Sequence, residues 1–131
     1  MAKARNPLAV SPAFRRFVLD QLEELGDVRP RSMFGGVGLY RDGLFFGIVA
    51  GDVLYLKVDE RTRRDYEAAG MTPFKPYTHR PGSMQYYAVP VGVLESASEL
   101  AEWARRAVGV ARRAAEGSSP KPRKRRKASA S

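Results

Sequence analysis

The stretch Arg31-Ser32-Met33-Phe34-Gly35-Gly36-Val37-Gly38-Leu39-Tyr40-Arg41-Asp42-Gly43-Leu44-Phe45-Phe46 decides the fold. It joins a glycine cluster, an Asp-Gly pair and two apolar runs rich in strand formers. Asp42-Gly43 can hold both positive-φ positions of a two-residue type I′ turn, whose twist matches that of the flanking strands. The spacing therefore predicts strands over residues 37–41 and 44–49 joined by a tight hairpin. Ala50-Gly51-Asp52 predicts a second turn leading into residues 53–58. There Leu54, Leu56 and Val58 alternate with Val53, Tyr55 and Lys57 as the two faces of one strand.

Outward from these three strands, Ser11-Pro12 marks a helix start, and Phe14, Phe17, Val18, Leu22 and Leu25 recur at helical spacing up to Gly26. Asp59 is placed to cap a shorter helix that Gly70 stops, with Tyr66 and the alanines as its buried side. Residues 83–89 are rich in strand formers and end at Pro90, which predicts a fourth strand. Residues 71–77 contain two prolines that confine any strand there to a sheet edge, and residues 29–33 are a further candidate for pairing. Ser96 and Glu99 have capping-box spacing, and Leu100, Trp103, Ala104, Ala107, Val108 and Ala111 form one apolar stripe behind them. This order predicts an α+β fold of two layers, an antiparallel sheet of at least four strands with helices packed on one face.

The chain has 131 residues, 44% of them hydrophobic and 28% charged, which suits one compact domain. No apolar run is long enough to span a bilayer, and the N-terminal residues lack a secretion signal, so a cytoplasmic location without membrane contact is expected. The absence of cysteine removes disulfides, thiolate nucleophiles and Cys-type zinc sites. The net charge of +9 is unevenly placed: 17 of the 23 basic residues and all 14 acidic ones fall in residues 1–117. The remaining segment carries Lys121, Arg123, Lys124, Arg125, Arg126 and Lys127 and no acid. It has no periodic apolar face to offset ordering entropy. The predicted organisation is a flexible N-terminus over residues 1–10, a domain over 11–117 and a disordered basic tail over 118–131.

The ordered blocks resemble the N-terminal domain of the TfoX/Sxy competence regulators. The resemblance rests on residues 31–36, Gly38-Leu39-Tyr40, Asp42-Gly43, residues 54–59, Pro73-Phe74, residues 83–87, Val89-Pro90 and Trp103-Ala104. It covers about residues 12 to 115. It implies a two-layer α+β domain with a regulatory role, linked in some bacteria to transcriptional control of DNA uptake alongside a cyclic-AMP-dependent activator. Two-domain members of that family continue into a C-terminal helical domain, whereas a charged tail follows here, so only the regulatory class is carried over.

No catalytic residue, metal site or cofactor is expected. His79 is the single histidine and sits in a turn-like loop without a Ser-His-acid order, paired-histidine spacing or acidic metal motif, so an ordinary loop histidine is the reading. Gly35-Gly36-Val37-Gly38 leads into a strand rather than opening a helix, which argues against a phosphate-cradling or KH-type loop and for a bend or bulge. Glu23 and Glu24 belong to the polar side of the first helix, and Asp59, Glu60, Asp65 and Glu67 surround the second. Tyr40, Tyr55, Tyr77, Tyr86 and Tyr87 are expected mainly as core or sheet-packing residues, with adjacent Tyr86 and Tyr87 on opposite faces; an exposed aromatic sheet surface for RNA or another protein is the lesser alternative, since RNP-like stacking motifs are absent. The six tail cations are expected to contact nucleic acid by charge alone, with solubility as the other ordinary use of such a segment, and Arg31, Ser32, Met33, Phe34, Gly35 and Gly36 form the candidate partner surface. The expected function is a non-enzymatic regulatory or adaptor protein with a regulatory protein partner, and homodimerisation through a sheet edge is a further option. The alternative is a small-molecule-binding domain or small enzyme with a pocket near the Gly35-Gly36 turn.

Overall fold

The computed structural model describes residues 9–33, 35–74 and 85–117. Phe34, the loop containing His79 and Tyr77, and the basic tail over residues 118–131 lie outside the described residues. The elements run α1 (Pro12–Gln21), β1 (Arg29–Met33), β2 (Gly36–Arg41), β3 (Leu44–Ala50), β4 (Val53–Lys57), α2 (Glu60–Ala68), β5 (Tyr86–Ala88), α3 (Val91–Leu94) and α4 (Ala97–Gly117). The five strands form one sheet in the order β1-β2-β3-β4-β5, and each neighbouring pair is antiparallel.

The turns set this meander. Arg41 pairs with Leu44 across Asp42 (φ 53°) and Gly43 (φ 76°), both left-handed as a type I′ turn requires. Ala50 pairs with Val53, so it belongs to the strand, and Gly51 (φ 56°) and Asp52 (φ 57°) alone make the next loop. The Asp52 carboxylate accepts a hydrogen bond from the Ser11 backbone N–H at 2.7 Å, tying the start of α1 to this hairpin. At the far edge Pro73 bridges to Tyr87, while Phe74 N–H donates to the Tyr86 carbonyl and Ala88 N–H to the Thr72 carbonyl. Of the edge pairing expected over residues 71–77, the described part, which ends at Phe74, is a short bridge alongside β5. Helix α3 was not foreseen, because four residues are too few for a helical period to show.

The four helices share one core with one face of the sheet. Val18 of α1, Tyr66 of α2, Val93 of α3 and Leu100 of α4 cluster with Val37, Leu39, Phe46, Leu54, Leu56 and Tyr87. Two expectations are corrected. Phe17 is 38% exposed, because Val18 and Leu22 already fill the inward side of α1. In α2 only Tyr66 is buried, and Ala68 and Ala69 are exposed, since that helix touches the domain along a single line.

Helix α2 starts from a full capping box. The Asp59 carboxylate accepts from the Arg61 and Thr62 backbone N–H groups at 3.0 and 2.9 Å, and the Thr62 hydroxyl accepts from the Asp59 N–H at 3.1 Å. The Thr62 backbone bond, helped by the Arg113 guanidinium, lowers the Asp59 pKa from 3.8 to about 2 against the opposing effect of burial. Because the folded value is depressed, its stabilisation is complete above the ordinary aspartate range and is lost as pH falls from about 4 to about 2. Asp59→Ala is expected to cost about 1 kcal/mol at neutral pH and Asp59→Asn a few tenths, about what loss of a cap and its replacement by another cap residue cost. Urea midpoints measured down to about pH 2 should show the Asp59→Ala deficit shrinking across that window.

Candidate functional site

The sheet has a second face that no helix covers among the described residues. It is built by the strand positions that alternate with the core. Leu39, Leu54, Leu56 and Tyr87 point to the helices, whereas Tyr40, Tyr55, Lys57 and Tyr86 point away and are half-buried. A β-bulge adds one more residue. Leu39 pairs with Gly47 but Tyr40 pairs with Phe45, so Phe46 is the extra residue of β3. Phe46 enters the core with no exposed surface, and Phe45 is turned onto the open face.

These side chains form a continuous row with a cation at each end. The Arg31 guanidinium lies 5.7 Å from the centre of the Tyr40 ring. Tyr40 stacks on Phe45 at 5.0 Å and 22°, and Phe45 meets Tyr86 at 5.6 Å. The Lys57 ammonium sits 4.9 Å over Tyr86. Beside the row, Tyr55 packs on Phe74 at 4.8 Å. The register explains each contact: Arg31 faces Gly38 and so lies diagonal to Tyr40, Tyr40 faces Phe45, and Lys57 faces Tyr86. Gly38 leaves a hollow in the middle, where a Cβ would stand 2.5 Å from Met33 Cε and 3.1 Å from Phe45 Cε1. Met33 of β1 fills that hollow.

Burial raises the Tyr86 pKa to about 12, with the neighbouring Tyr40 adding to the effect, so Tyr86 is a neutral phenol at physiological pH. Burial also raises Tyr55 and lowers Lys57, whose ammonium donates to Gln85 Oε1 at 3.3 Å. The face can therefore stack flat or apolar groups, donate hydrogen bonds from phenols, and pair with anions at either end. Among the described residues no three His, Asp or Glu side chains are grouped to hold a metal ion.

Of the expected partner surface, Arg31 and Met33 belong to this face. Ser32, opposite Val37, alternates to the other side at the sheet edge and is exposed. Gly35 (φ 85°) and Gly36 shape the β1–β2 hairpin, in which Met33 pairs with Gly36. The irregularity expected there is a turn, and the bulge itself lies at Phe46. Neither of the two cavities lined by α2 and α4 includes the Gly35-Gly36 turn. Phe34 and Lys121, Arg123, Lys124, Arg125, Arg126 and Lys127 lie outside the described residues. Sequence reading missed Phe45 and Lys57, and it named Tyr40 and Tyr86 only as a lesser candidate for an exposed aromatic surface. Alternation with Leu39, Leu56 and Tyr87 carried the signal for three of them, and nothing carried it for Phe45.

No curated protein matches the chain. The model of the TfoX N-terminal domain matches residues 20–111, a span that runs from α1 into α4 and includes every residue of the aromatic row. Covering more than two thirds of the sequence, this match places the chain in the TfoX N-terminal domain family.

Proposed function

We propose that this chain is a non-enzymatic regulatory or adaptor protein that docks a protein partner on the open face of its sheet. The Lys/Arg tail adds nonspecific attraction for nucleic acid. The observation that carries this reading is the aromatic row Tyr40, Phe45, Tyr86 capped by Arg31 and Lys57, on a sheet face that no helix covers among the described residues. Aromatic side chains flanked by an arginine are the composition that anchors protein interfaces, because they offer large rigid contact area at low entropic cost. The tail supplies charge without stacking groups, which favours phosphate contact over base reading. Among the described residues no helix is long and apolar enough to cross a membrane.

The test is affinity capture from cell extract, with and without nuclease, using three full-length proteins. They are the wild type, the face variant Arg31→Glu/Tyr40→Ser, and a tail variant with all six cations changed to Gln. The face variant should lose the nuclease-resistant partner and the tail variant only nuclease-sensitive material. Unchanged capture by the face variant overturns the docking surface. With arbitrary duplex DNA, the tail variant should lower the slope of log affinity against log salt by about five if all six cations touch phosphates. Sedimentation at two concentrations separates a foreign partner from a second copy at the exposed β1 edge.

A further inference from the structure

On the helical side, α2 and α4 enclose a groove of about 360 Å³ lined by Arg61, Arg105, Arg106 and Arg113, together with Thr62, Gly109, Asp65 and Glu102. Two of the guanidiniums are held in place. Arg106 donates to Asp65 at 2.7 Å and lies 5.3 Å from the Trp103 ring, and Arg113 donates to Asp59 at 2.9 Å. Arg61 and Arg105 have no ion pair among the described residues, and both are exposed. Glu102 is the one lining carboxylate outside these pairs, so positive charge predominates.

We infer that this groove is a phosphodiester-binding site for nucleic acid, and that it orients a strand which the tail alone would hold without direction. The inference rests on the tail reading above. Paired Arg106 and Arg113 supply restrained N–H donors rather than net charge, since a carboxylate partner fixes a guanidinium without using all five of its donors. Unpaired Arg61 and Arg105 supply the fork-shaped donors that suit a phosphate. The seven-residue step from Arg106 to Arg113 is two helical turns, about 10 Å along α4. The six cations of residues 118–131 begin at Lys121, eight residues beyond Arg113, so a polyanion caught by the tail is kept at high effective concentration near the groove.

The experiment is a salt titration of binding to an arbitrary duplex DNA by full-length wild type, Arg61→Gln/Arg105→Gln, and the charge-matched control Arg15→Gln/Arg16→Gln on α1. Since Arg61 and Arg105 are exposed, the groove variant should keep the wild-type thermal midpoint. The groove variant is expected to lose up to about two units of slope relative to the control and at least about tenfold in affinity at low salt. Equal slopes for groove variant and control overturn the groove and leave the tail reading standing. Absence of duplex binding by the wild type at every salt concentration overturns both.

Discussion

Phe46→Ala is expected to destabilise the domain by about 3–5 kcal/mol, a large part of the 5–15 kcal/mol that holds a typical domain folded. Phe46 is the largest of the side chains with no exposed surface, and its neighbours in the core include residues just as closed in, such as Leu39, Leu54, Leu56 and Leu100, which leaves the cavity little chance to collapse. The adjacent substitution Phe45→Ala is expected to behave differently. Phe45 rests on Tyr40 and Tyr86 on the open face, and losing two ring contacts at a half-buried position costs about 1–2 kcal/mol. Phe45→Ala should therefore fold and lose partner capture, whereas Phe46→Ala should fail first in urea. Denaturation midpoints for the pair decide it. Equal costs would place both rings in one environment and remove the bulge from the account of the site.

That pair also shows where sequence reading reached its end. The hairpin at Asp42-Gly43 and the alternation of Leu54, Leu56 and Val58 were legible because turn chemistry and a period of two are local properties. The capping signals at Ser11, Asp59 and Ser96 were legible for the same reason, and each side chain accepts the backbone bond its position called for. A bulge is a relation between two strands. Nothing in Leu44-Phe45-Phe46-Gly47 states that Phe46 will be the unpaired residue, and strict alternation would have put Phe46 and Gly47 on opposite faces. The same limit hid the cation at each end of the row. Arg31 and Lys57 are distant in sequence from the rings they cover, and only the registers of β1 on β2 and β4 on β5 bring them there. The arginine groove depends in turn on how α2 lies against α4, with Arg106 reaching Asp65 across 41 residues of sequence.

Gly47→Val is expected to cost about 3 kcal/mol, near the upper end of ordinary overpacking, and Gly47→Ala about 1 kcal/mol. Gly47 follows the bulge on the core face, where an added Cβ would stand 3.1 Å from the Tyr55 carbonyl, 3.2 Å from Leu56 Cδ2 and 3.3 Å from Leu39 Cδ1. The first of these is backbone in the β3–β4 ladder, and the other two belong to side chains with no exposed surface. None can retreat without breaking a hydrogen bond or pushing into the helix layer. Gly38→Ala meets an atom even closer, Met33 Cε at 2.5 Å, but that is the free end of a flexible side chain on the open face. Its cost should stay below about 1 kcal/mol while it drives Met33 out of the hollow beside Phe45. Thermal unfolding should thus rank Gly47→Val as the most damaging and Gly38→Ala as the least, opposite to the order of closest approach. The controlling quantity is what the neighbouring atom can do when pressed. A Gly47→Val protein as stable as Gly38→Ala would mean that β3 can move off β4, and with it the register that aligns Phe45 between Tyr40 and Tyr86.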